Sequence, residues 1–215
     1  MRTHCAKIVL ILLSVLWLSA AQSQHLQSVA HESPLASVTA LHEALVAAAH
    51  AEPTSVRQRY QRLAPVISAT HDLPFIARFA TRRYWDDFDL EQRDVFVEQF
   101  SRLSGMTYAA RFASVSADTF SVKQTEVQES GRVQVLATIR RDAQPDIPIE
   151  YLLHETSAGW KIINVIADGV SDLALKRAEY RAAIEAGGIE ELLGDIEERL
   201  AAFQETSPAN AISRD

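Results

Sequence analysis

Cysteine is nearly missing from this chain: the only one, Cys5, stands ahead of the first apolar run. A lipoprotein needs its cysteine directly after that run, so Cys5 is not a lipidation site. One cysteine cannot close an internal disulfide, and the fold must stand on its core alone. Positive charge is also scarce, with 21 Lys and Arg against 28 Asp and Glu and a net charge of −7. That balance argues against nucleic acid and against passive adhesion to anionic membranes. The chain has no Gly-x-Ser-x-Gly, no phosphate-binding glycine loop and no Gly-x-Gly-x-x-Gly. None of His4, His25, His31, His42, His50, His71 and His154 falls in His-Glu-x-x-His or pairs with a cysteine, so no zinc site is read. Asp86, Asp87 and Asp89 lack the glycine and closing glutamate of a calcium loop, and read as a solvated turn and a cap. Nothing here points to an enzyme, a cofactor or a metal.

What is present begins with a secretory signal. Arg2 and Lys7 give a positive start, Ile8 to Leu18 is apolar except for Ser14, and Ser19-Ala20-Ala21 offers small residues to a signal peptidase. The run is too short to span a bilayer. Residues 1–21 are therefore expected to be removed, which moves the charge from −7 to −9, and the mature protein is expected in the periplasm. Residues 22–32 form a polar leader, 33–205 one domain, and 206–215 a loose tail.

Within that domain the hydrophobic period is helical first. Ser33 and Pro34 open a helix whose expected apolar stripe is Leu35, Val38, Leu41 and Leu45. Pro53 opens a second, with Val56, Tyr60, Leu63 and Ile67 on one face. Asp72 and Pro74 open a third with Phe75, Ile76 and Phe79. Asp89 and Gln92 make a capping pair for a fourth, bearing Val95, Phe96, Phe100 and Leu103, which Gly105 is expected to break or kink. The period then becomes two. Strands are read at Phe120–Gln128, Val133–Ile139, Ile147–Leu153 and from Trp160, with Pro145 and Pro148 marking a kink or an edge at the third. Ser171 to Ala186 returns to helix, Gly187-Gly188 stops it, and Ile189 to Phe203 marks a last helix. The expected fold is α+β: a curved four-stranded antiparallel sheet with helices over its apolar face.

Several segments carry a resemblance in their order and spacing. They are Arg83-Tyr84-Trp85, Glu91-Gln92-Arg93 with Phe96 and Phe100, Thr107-Tyr108, Ile147-Pro148-Ile149-Glu150-Tyr151 and Gly159-Trp160-Lys161-Ile162. Val165, Gly169-Val170-Ser171 and Gly187-Gly188-Ile189 complete the series. From about Asp72 to Phe203 the chain resembles the MlaC/toluene-tolerance family, the periplasmic phospholipid-binding auxiliary proteins of ABC transporters. The resemblance implies a lipid pocket enclosed by the sheet and helices. It also implies a shuttle between an outer-membrane lipoprotein complex and an inner-membrane ABC transporter complex. Where the family usually continues Leu-x-x-x-Tyr-Arg, Lys176 takes the tyrosine position, closer to a hopanoid-associated branch. The cargo is thus phospholipid or hopanoid. Expected lipid-binding residues are Phe75, Phe79, Trp85, Phe100, Tyr108, Tyr151, Trp160 and Val165. Arg82 or Arg83 would meet a headgroup phosphate at the mouth or lie on an exposed helix face. Periodicity alone does not separate a filled core from a cavity. An adaptor with a filled core and a hydrolase on a cone-shaped sheet therefore remain open.

Overall fold

The computed structural model describes residues 33–51, 55–141 and 143–205. The expected signal peptide, polar leader and tail, and Pro53, lie outside the described residues. Helix α1 (Pro34–His50) starts where Ser33 Oγ accepts the amide of Ala36 at 3.1 Å. Helix α2 (Val56–Thr70) starts on a full capping box between Ser55 and Gln58. Helix α3 (Leu73–Ala80) starts on Asp72, whose carboxylate accepts the Phe75 amide at 3.0 Å. Helix α4 (Leu90–Arg111) repeats the capping box with Asp89 and Gln92.

Gly105 does not break α4, which runs through it. The glycine serves packing: a Cβ there would stand 2.5 Å from Cε2 of Tyr60 on α2. Its missing side chain lets the two helices approach.

The sheet has five strands in the order β1-β2-β3-β4-β5, all antiparallel, rather than the four expected. They are β1 (Phe120–Val127), β2 (Val133–Ile139), β3 (Ile147–Thr156), β4 (Gly159–Ala167) and β5 (Val170–Ser171). The short β5 arises because Asp168 and Gly169, at φ 51° and 75°, turn the chain back on β4. Pro148 lies in β3, an interior strand between β2 and β4, not at an edge. It is tolerated because its carbonyl meets the amide of Asp168, one residue past the end of β4, so the donor it lacks faces no ladder partner. Val133, Val135 and Ala137 alternate along β2 opposite Leu153, Tyr151 and Ile149, and all six are buried. That face receives the helices.

Helix α5 (Asp172–Glu205) has a break at Gly187 and Gly188 that divides it into two arms. Gly188, at φ 74° and ψ −159°, occupies backbone space that is essentially glycine's alone. Tyr180 of the first arm meets Phe96 and Phe100 edge-on, at 5.8 and 6.3 Å between centroids. Leu192, Ile196 and Leu200 of the second arm are buried. Arg199 pairs with Glu179 at 3.0 Å and ties one arm to the other.

Candidate functional site

Strand β4 contains one residue too many for its partner. Leu152 stands opposite Asn164 and Leu153 opposite Ile162, which leaves Ile163 as a bulge. The bulge interrupts the strict alternation of faces. As a result Ile162, Ile163, Asn164 and Val165 all reach one cavity of about 110 Å³. Leu73 and Ile76 of α3 form a second wall, and Phe100, Ser104, Thr107 and Tyr108 of α4 a third. Asp172, Leu173 and Lys176 bring in the start of α5. That start is fixed from β4: Asn164 Oδ1 accepts from Ser171 Oγ at 3.1 Å and from the Leu173 amide at 3.3 Å.

Several polar groups in the wall have partners within the protein. His71 Nε2 and the Tyr108 hydroxyl lie 3.0 Å apart. His71 Nδ1 lies 3.0 Å from Thr70 Oγ1 and 3.2 Å from the carbonyl of Ile67. Burial lowers the His71 pKa to about 4 and raises that of Tyr108. The ring is therefore neutral at neutral pH, with both nitrogens committed. Thr107 Oγ1 donates to its own helix at Leu103. With these groups turned to protein partners, the wall suits an apolar guest better than proton-transfer chemistry. Among the described residues no cluster of three His, Cys, Asp or Glu side chains is arranged to hold a metal ion.

A second space adjoins the cavity. Ser104, Thr107, Arg111, Asp172 and Lys176 also border a cleft of about 450 Å³ between α4 and both arms of α5. Lys176 Nζ stands 3.0 Å from Asp172 at the junction. Small-molecule pockets commonly span ~300–1,000 Å³. The inner cavity alone is below that range and the outer cleft is within it.

Of the residues expected to bind lipid, Phe100, Tyr108 and Val165 border the inner cavity. The other five do not. Phe75 and Phe79 stack on each other, 5.8 Å between centroids, and border a separate surface hollow with Trp85 and Arg82. Tyr151 is buried against α1. Trp160 packs on the core, its carbonyl held by Ser37 Oγ at 2.7 Å. Arg82 and Arg83 border a different groove, shared with neither the cavity nor the cleft. The sequence reading omitted Ile162 and Ile163, because a bulge has no sequence signature. It also omitted Ser104 and Thr107, although they continue the Phe100–Tyr108 face at helical spacing.

The sequence matches the model of the MlaC protein family over residues 36–198. Among solved structures, the fold is similar to that of the phospholipid-binding protein from Ralstonia solanacearum in complex with a phospholipid. The TM-score is 0.69 at 20% identity, over 79% of this chain and 97% of that one. The likeness is one of fold. No curated protein matches the sequence.

Proposed function

The chain belongs to the MlaC family, and on that premise we propose that it is a periplasmic carrier that takes lipid acyl chains into the cavity beside β4. Family membership supports lipid binding and transport rather than catalysis. The observation that carries the reading for this chain is that the cavity and the α4–α5 cleft lie side by side and share Ser104, Thr107, Arg111, Asp172 and Lys176. An acyl chain would enter from the cleft and end against Ile162, Ile163 and Val165, leaving its headgroup near Arg111 and Lys176.

A carrier of this kind answers a free-energy problem. A sixteen-carbon chain exposed to water costs on the order of 10 kcal/mol, at ~0.8 kcal/mol per methylene. A dry cavity removes most of that cost. The lipid then exchanges between apolar sites of similar free energy, so direction comes from its partners. We assign these as an outer-membrane lipoprotein complex and an inner-membrane ABC transporter complex. The cargo is a phospholipid or, given Lys176 in place of the family's usual tyrosine, a hopanoid.

The test is mass spectrometry, native and denaturing, on mature protein purified from periplasm without detergent. A co-purifying lipid is the expected result, and its mass distinguishes phospholipid from hopanoid. A clean apo mass with no uptake from phospholipid or hopanoid vesicles would overturn the reading.

A further inference from the structure

Arg82 and Arg83, just past the end of α3, and Arg177 and Arg181, on the first arm of α5, border one groove of about 560 Å³. Its remaining lining is Ala80, Thr81, Tyr84, Ala174 and Ala178, with no carboxylate. Arg82 and Arg177 both rest on the ring of Phe79, with guanidinium carbons 5.6 and 5.4 Å from its centroid. At the rim, Glu185 takes the Tyr84 hydroxyl at 2.7 Å and lies 4.0 Å from Arg83. Among the described residues, Arg82, Arg177 and Arg181 form no ion pair. So a chain with a net charge of −7 brings four arginines to one concave place and leaves three of them without an ion pair. A cleft lined by one sign of charge focuses potential and draws in the opposite sign.

We propose that this groove is the docking site for an acidic segment of a partner protein. Guanidinium groups receive carboxylates through paired, directional hydrogen bonds. The small side chains of Ala80, Ala174 and Ala178 leave room for a narrow polypeptide between them. An anionic bilayer fits less well. The groove is concave, the chain as a whole is negative, and none of the exposed large apolar side chains (Leu35, Leu90, Val95, Val127, Val170 and Leu175) lines it. The location matters for a carrier. On α5, Leu173 and Lys176 border the lipid cavity, while Ala174, Arg177, Ala178 and Arg181 border the groove. Successive residues are ~100° apart around a helix, so these are adjacent faces of one element. A partner seated in the groove would hold the helix that walls the cavity. This last step rests on the carrier reading; the groove's preference for acidic polypeptide does not.

The test uses the mature protein and a fluorescein-labelled octaglutamate peptide, followed by anisotropy at low and physiological salt. The wild type is expected to bind, more weakly as salt rises. The double variants Arg177→Gln/Arg181→Gln and Arg177→Glu/Arg181→Glu are expected to bind about tenfold or more weakly. Both positions are exposed, and circular dichroism verifies that each variant is folded. Equal affinity in all three proteins, or no binding by the wild type at low salt, would overturn the proposal. So would binding to phosphatidylethanolamine vesicles containing phosphatidylglycerol in preference to the peptide, which would make the groove a membrane contact. Lipid content, read by mass spectrometry in the same samples, is expected to be unchanged. Its absence from wild type and variants alike would sink the carrier reading while leaving the groove result intact.

Discussion

The hydroxyl of Tyr151 and Nε2 of His42 lie 2.8 Å apart, joining strand β3 to helix α1 inside the core. Both residues are buried, and the Phe120 ring stacks on His42 at 4.2 Å between centroids. The contact links positions 109 apart in sequence, so it is a clamp between the sheet and the first helix.

Removing one partner of that clamp should cost stability but not cargo. Tyr151→Phe keeps the ring and leaves the buried imidazole nitrogen unsatisfied, a penalty of ~1–3 kcal/mol. We expect a lower urea midpoint with an unchanged slope. Lipid content should equal that of the wild type, because Tyr151 is not in the cavity wall. Loss of lipid from a folded Tyr151→Phe protein would return Tyr151 to the binding site.

His42 and His71 give stability a definite pH dependence. Burial holds each pKa at about 4, below the ordinary 6.5. Between those values the unfolded chain binds protons that the native chain refuses, so stability rises with pH there. The contribution is complete above about pH 6.5 and is lost on acidification toward pH 4, on the order of 3 kcal/mol per histidine. Urea midpoints at pH 7.5 and pH 5 should differ clearly. The gap should narrow in His71→Phe, which lacks one of the two groups. An equal midpoint at both pH values would show that the imidazoles are not held neutral.

Cavity wall and core respond differently to charge. Val165 borders the cavity and is only partly buried, so Val165→Glu should stay folded yet lose co-purifying lipid. Phe100 also borders the cavity but is 1% exposed, and a carboxylate there faces the penalty of an unpaired buried charge. Phe100→Asp should therefore fail in folding rather than in binding. Circular dichroism and lipid mass spectrometry on the two proteins separate the effects. A folded, fully loaded Val165→Glu protein would rule out this cavity as the lipid site.

Much of this arrangement could be read from the chain before any coordinates. Ser33, Asp72 and Asp89 announce their helices because a side-chain oxygen must satisfy the first free amides, and short polar residues do this at fixed spacing. The alternation in β2 announces a one-sided strand for an equally local reason. Ile163 could not be found this way, since a bulge is set by the register of β4 against β3, not by either sequence alone. The sequence does not say which aromatic residues border the cavity, for a related reason. Phe79, Trp85 and Tyr151 are large aromatic residues like Phe100, but what each one faces depends on long-range packing. Gly105 suggests a break or kink by local rules, whereas its role lies in the Tyr60 ring across from it, which no local rule contains.

Two glycines on α5 should answer the same substitution in opposite directions. Replacing either by alanine restricts the unfolded chain similarly, so the difference between them reports the native state. At Gly194 the backbone is helical and a Cβ meets nothing within 4 Å. Gly194→Ala should therefore stabilise the protein by ~0.5–1 kcal/mol. Gly188 has φ 74° and ψ −159°, which a Cβ disfavours whatever the free space around it. Gly188→Ala should destabilise by ~1–3 kcal/mol, or the two arms must change their angle to relieve the strain. Because the second arm carries Ala202 and Phe203 to the outer cleft, that relief would reshape the cleft. Thermal melts of the two variants should thus move apart, with Gly194→Ala above the wild type and Gly188→Ala below it. Matching shifts would mean that the break at Gly187-Gly188 is a flexible joint, not a fixed corner.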